Sequence, residues 1–318
     1  MERVVDPWPS LRLADWKPTC ETLHRYSQIL GKIRLALAPP LNHWWHVPLY
    51  VSPRGLTTSR MPYRDGALEL ALDLVTHDVV VTTSGGDEKR MPLLPRSVAA
   101  FHAELMELLG ALGVDVHVWR MPVEIPDPIP FDEDVMHASY DPEYASRFFR
   151  VLSGAASALE EFAGRFVGKQ SRVHFFWGSF DLALTRFSGR RAPPRPGADR
   201  ITAEAYSHEV MSVGFWPGTE GVTDAAFYAY AAPEPPGFRG AAVPPPASWH
   251  ATLSEFVLPY AAVREAPSPR EAILAFCEAT YDAAADLGGW DCDALERAPR
   301  AAGRGPGALA HGAEQPTP

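Results

Sequence analysis

Between residues 68 and 74 the chain reads LELALDL. Leu68, Leu70, Leu72 and Leu74 share one parity, and Glu69 and Asp73 share the other. Such a set falls on one face only in a strand, whose side chains repeat every two residues. Turn residues fence the segment. His77-Asp78 leads into VVVTT (79–83), and SGGD (84–87) leads into KRMPLL. Connections this short join strands antiparallel, because a parallel return needs a dozen residues or more. The chain is therefore committed to an antiparallel meander with one buried face.

Elsewhere the apolar period changes to three and four, the mark of a helix. Leu23, Tyr26, Leu30, Ile33 and Leu37 form one such stripe, and Val98, Phe101, Leu105, Leu108 and Leu112 a second, with Ser97 placed to cap it and Gly113 to end it. A third helix is predicted over 142–167. It starts at Asp141-Pro142 and carries Phe148, Leu152, Ala155, Leu159, Phe162 and Phe166. A fourth begins at Ser268-Pro269, with Glu271 completing a capping box. Further strands are predicted at DVHVWRM (115–121), VHFFWGSFDLALTRF, EVMSVGFW, AAFYAYA and TLSEFVLPY.

The order is helix, four strands, helix, then a linking strand, then the same again. QILGK (28–32) closes the first helix and RFVGK (165–169) the third. Strands opening with HWW (43–45) and HFF (174–176) follow them. The expected fold is α+β: two similar helix–four-strand–helix halves, 1–125 and 126–296, related by a pseudo-two-fold axis and packed as one compact unit. Its antiparallel sheets carry their helices on one face. MPVEIPDPIPF (121–131) links the halves, and a tail from 297 to 318, without apolar period, is expected to be disordered.

Net charge is −10, which disfavours nucleic acid as a partner, since phosphates are neutralised by clustered Lys and Arg. No apolar run reaches membrane-spanning length, and MERVVDPWPS lacks the apolar core of a signal peptide. Cys20, Cys277 and Cys292 form no CxxC pair. A reduced, cytoplasmic chain is expected, with no membrane partner. Phosphate-binding glycine loops, GxSxG and HExxH are all missing from the sequence. Oligomeric state leaves no trace in the sequence.

The stretches QILGKIRLALAPPLNHWWHVPLYVSPRGLTT, HFFWGSFDLALTRFSGR, AYSHEVMSVGFWPG and EFVLPY resemble a bacterial family, domain of unknown function 5996. The resemblance runs from Trp8 to Trp290. It implies no activity, and it coincides with the His- and aromatic-rich strands.

NHWWHVPLY (42–50) is the densest of these. Prolines at 39, 40 and 48 oppose a helix. In a strand His43 and His46 would point apart, so they do not chelate one ion as a pair. Across strands, His43, His174 and His208 have the chemistry of a divalent metal site, or of general acid–base groups that Glu209 or Asp181 would orient. The alternative is buried, hydrogen-bonded histidines. Arg54 and Arg186 follow matching strands and are candidates, with His46, to hold an anionic group. Trp44, Trp177 and Tyr206 are candidate pocket walls, with tight core packing as the alternative. Asp132, Glu133, Asp134 and His137 read as a solvated acidic linker. The expected partner is a small, anionic organic molecule, bound in a His/aromatic cleft and acted on or simply recognised there. A protein-interaction scaffold built on exposed Trp and Tyr is the third reading.

Overall fold

The computed structural model describes residues 6–219 and 223–297; the expectation for the tail concerns residues outside these, apart from Arg297. Helix α1 (Leu13–Leu37) leads into six strands: β1 (Tyr50–Ser52), β2 (Gly55–Thr57), β3 (Met61–Tyr63), β4 (Gly66–Asp73), β5 (Asp78–Thr83) and β6 (Glu88–Pro92). Helices α2 (Val98–Ala111) and α3 (Pro142–Ala163) follow, then β7 (His174–Phe176) and β8 (Asp181–Arg191). The rest comprises α4 (Arg200–Ala205), β9 (His208–Thr219), β10 (Thr223–Ala232), β11 (Ser248–His250), β12 (Glu255–Pro259), α5 (Tyr260–Glu265), α6 (Pro269–Gly288) and α7 (Cys292–Leu295).

The fold is α+β with two antiparallel sheets. The first runs β1-β2-β4-β5-β6, and β3 shares the edge of β4 with β2. The second runs β11-β12-β10-β9-β8-β7. Each has six strands where the sequence suggests four. β1, β2, β3, β7 and β11 span three residues each, too few to leave a readable period. The sheets meet edge to edge at one bridge, where Leu49 and Phe175 exchange both backbone hydrogen bonds at 2.9 Å.

The long helices form where their stripes and caps predict. The Ser97 hydroxyl accepts from the Ala100 amide, Asp141 from Glu143 and Tyr144, and Ser268 from Glu271. α1, about 38 Å long at 1.5 Å per residue, packs on both sheets. Its first free amide, Leu13 N, donates to the Asp224 carboxylate of β10 at 2.9 Å. Just upstream, the Pro9 carbonyl accepts from the Tyr260 hydroxyl at 2.7 Å. One continuous hydrophobic cluster draws on both halves.

Three expectations are corrected. DVHVWRM forms no strand. It alternates as a strand does, but it pairs with no strand, and its backbone is tied by single bonds such as Asp115 N to the Tyr63 hydroxyl, 2.8 Å. NHWWH is a 3-10 turn, with His43 and Trp44 at φ of +57° and +59°, because the flanking prolines leave no room for a ladder. QILGK lies inside α1, which runs on to Leu37, whereas RFVGK follows the end of α3. Those matching strings therefore occupy different structural positions. The acidic linker is also tighter than expected. Asp134 is fully buried, 3.2 Å from the Arg25 guanidinium, and accepts from two backbone amides.

Candidate functional site

The second sheet is hydrogen-bonded so that side chains from adjacent strands stand in rows. Ala183, Gly214 and Tyr228 make one row; Thr185, Ser212 and Tyr230 the next; Phe187, Val210 and Ala232 the third. The alternate parity, with Leu182, Leu184, Arg186, Val213, Phe215 and Phe227, is buried in the core beside α3 and α6. The rows face the other way, into a cavity of about 960 Å³ closed over by the Asn42–Trp45 turn, Trp119, Trp177 and the α4 segment. From Asp181 to Phe187 this trough extends about 20 Å, at about 3.3 Å per strand residue.

Its first end is built by one face of α1. His24, Gln28 and Lys32 are four residues apart and so stand above one another. The Nε2–H of His24 donates to the carbonyls of Gly178 (2.8 Å) and Trp177 (3.0 Å); burial pushes the imidazole down to about 4. Gln28 grips Val123 through both amide atoms, at 2.8 and 2.9 Å. The Trp177 ring lies flat on α1 because Gly31 has no Cβ to meet it, and Trp177 Nε1 donates to the Val47 carbonyl at 2.9 Å.

Those two clamped segments carry carboxyl groups. Asp181 accepts hydrogen bonds from Ser179 and Tyr228. Tyr228 reaches it by lying across Gly214, where any Cβ would overlap the phenol ring and the Leu182 carbonyl. Glu124 sits against Gly178 and Glu255 opens β12; both line the trough with Asp181. Burial raises all three carboxyls, and the charge of Asp181 pushes Glu124 and Glu255 further, Glu255 to about 7. Lys32 lines the same end. It is only 5% exposed, with its ammonium 4.5 Å from the Trp119 ring centre and 5.9 Å from that of Trp177. Among the described residues it has no carboxylate or hydrogen-bond partner, and burial lowers it to about 8.

The far end carries bases. Phe187, Val210 and Ala232 pack with Trp45, Tyr206 and Tyr230. His43 Nδ1 faces the Glu204 and Ala205 carbonyls at 3.1 and 3.3 Å, so that nitrogen holds the proton. Its Nε2 accepts from the Lys169 ammonium at 2.6 Å. Burial, then the Lys169 charge, lower this imidazole. The Arg195 guanidinium stacks 4.0 Å from the Tyr206 ring centre.

Of the residues singled out in the sequence, His43, Trp44, Trp177, Asp181 and Tyr206 line the trough, and His208 stands edge-on to His43 with ring centres 5.7 Å apart. The others lie elsewhere. His174 is 2% exposed among Trp45, Tyr50 and Phe176, its Nδ1 without a partner. Trp45 separates it from His43. The three histidines therefore do not converge, and among the described residues no three His, Cys, Asp or Glu side chains are placed to hold a metal ion. His46 accepts from the Leu41 amide and closes its own turn. Glu209 is bound by Ser188 and Arg190 on another surface. Arg54 pairs with Asp73 in the first sheet. Arg186 is 1% exposed on the helix-covered face, stacked on Phe162 (3.4 Å) and Tyr281 (4.3 Å).

The sequence reading missed His24, Gln28, Lys32, Glu124, Tyr228 and Glu255. A signal existed for the first three: polar residues at four-residue spacing along a helix whose other face is apolar. Glu124 and Glu255 sit in segments without period, so nothing local marked them.

A family model described as a family of unknown function (DUF5996) matches residues 8–297. No curated protein and no solved structure matches the chain.

Proposed function

We propose that this chain, which belongs to that family of unknown function, is a small-molecule-binding protein whose ligand lies in the trough. The observation that carries the reading is an aromatic channel with polar groups gathered at its two ends: Asp181, Glu124, Glu255 and Lys32 at one, His43 and Arg195 at the other. Ligand sites take this form, apolar walls with a few fixed polar groups. An elongated molecule fits, with an apolar or aromatic body on the tyrosine and tryptophan rings. Its hydrogen-bond-donating or cationic end meets the carboxyls, and its anionic end meets Arg195, both ring nitrogens of His43 being already engaged. The anionic partner expected from the sequence is thus held elsewhere than at Arg54 and Arg186. Sheet interiors are normally filled, so an open face flanked by buried titratable groups supports ligand binding over packing. Trp119 is the only exposed aromatic among the described large hydrophobics, which leaves an interaction scaffold little surface. Three free cysteines, two of them buried, agree with a reducing compartment such as the cytoplasm, and among the described residues no helix is long and apolar enough to cross a membrane.

The test fills the trough. Ala183, the third residue of β8, faces it. Ala183→Phe is expected to keep the melting transition and abolish the thermal shifts produced by an aromatic amine and aromatic carboxylate panel. Ligand responses that survive unchanged in the folded variant would sink the reading.

A further inference from the structure

Lys32 is unlike the other lysines of the chain. There are four, at 17, 32, 89 and 169. Lys17 pairs with Glu21, Lys169 donates to His43, and Lys89 is exposed on β6. Lys32 alone is nine-tenths buried, lacks a carboxylate, and borders a cavity. A charge so placed is costly unless something occupies the cavity or the amine gives up its proton. Its surroundings are the rings of Trp119, Phe131 and Trp177, and an amine desolvated among apolar groups is activated as a nucleophile.

We infer that Lys32 captures an aldehyde or ketone group of the trough's ligand as an imine. This rests on the trough being a ligand site. The neutral Nζ attacks the carbonyl carbon, and the C=O π pair moves to oxygen, which takes a proton to give a carbinolamine. Nitrogen loses one proton as that oxygen gains one. The hydroxyl then departs as water with a proton drawn from a carboxyl group while the nitrogen lone pair forms C=N, and the iminium nitrogen returns its second proton to that carboxylate. The sum is amine plus carbonyl to imine plus water, with no oxidant or reductant. Glu124, Asp181 and Glu255 line the same cavity and keep protons above the ordinary carboxyl range. A desolvated amine and carboxyls whose affinity for protons burial has raised thus line one cavity, the pairing that dehydration of a carbinolamine uses.

The experiment uses the full chain with 4-carboxybenzaldehyde and cyanoborohydride at pH 7.4, and maps reduced adducts by peptide mass. At that pH an ordinary lysine is about one part in a thousand neutral and an amine at about 8 roughly a fifth. Lower basicity takes back part of the gain, so Lys32 is expected to be modified at least about tenfold faster than exposed Lys89. 4-Methylbenzoate, the same ring and anion without a carbonyl, is expected to shield it. Lys32→Arg, checked for an unchanged melting transition, is expected to lose the fast adduct. Labelling of Lys32 no faster than Lys89, while 4-methylbenzoate still raises the melting temperature, would overturn the imine and leave the trough standing. Absence of both responses would overturn both.

Discussion

The two sheets have the same strand number and the same antiparallel pairing, yet they spend their faces differently. In the first, β4 puts Leu68, Leu70 and Leu72 into the core, while Glu69 and Ala71 on the other parity are half exposed. That is the usual division between core and water. In the second, β8 is buried on both parities from Asp181 to Leu184, and the face turned from the helices fronts a cavity rather than tight packing. The difference teaches where to look for function: at a sheet face that is covered over and unfilled.

The comparison can be broken most forcefully at glycines. Gly214→Ala is expected to cost more than about 4 kcal/mol or to prevent folding, because its Cβ has no space between the Leu182 carbonyl and the Tyr228 ring. Urea denaturation or loss of soluble protein reads this out. A mild effect would mean that Tyr228 does not lie across the sheet as described. Next comes Arg186→Ala, expected to cost roughly 2–5 kcal/mol through the hole left among Phe162, Phe166 and Tyr281. Arg186→Met should recover most of that, and ligand-induced thermal shifts should persist, since this face is not the trough.

A third effect depends on pH. Burial, with Arg172 and Arg34 nearby, pushes His174 down to about 3. The unfolded imidazole takes a proton near 6.5 while the folded one stays neutral, so stability is fully present above about 6.5 and is lost as pH falls toward 3. Between pH 7 and 4 this amounts to roughly 3 kcal/mol. His174→Phe should remove that part of the slope in denaturation midpoints. Smallest is Gly110→Ala in α2, in open space with no strained φ, expected to stabilise by about 0.5 kcal/mol. A glycine before the first sheet's helix ends is thus dispensable, whereas the one beneath Tyr228 is not.

Much of the first sheet was legible, because LELALDL and its turns encode pairing locally. The helices were legible too, down to caps at Ser97, Asp141 and Ser268. The trough was only partly so. Asp181, Trp177 and Tyr206 lie in segments that announced themselves by composition, but what gathers them is the reach of α1 to Gly178 and Val123, 150 and 95 residues away from Gln28, and no local pattern records such a distance. HWWH misled for a related reason. Residues in left-handed conformations break the parity on which strand reasoning depends. Arg186 misled because a guanidinium on aromatic rings is spelled the same way as one awaiting an anion.

The ties at the start of α1 bear on how the chain matures. Its opening turn is capped by Asp224, and the residues before it are held by Tyr260, so a segment made early is fastened by ones that follow it 211 and 251 residues later. Closing so long a loop is slow, and His24 has nothing to grip until the Trp177–Gly178 segment of the second sheet is in place. A nascent chain released short of residue 224 carries Lys17, Lys32, Lys89 and Lys169 but no finished chamber around Lys32, which confines any chemistry of that amine to the folded two-sheet unit.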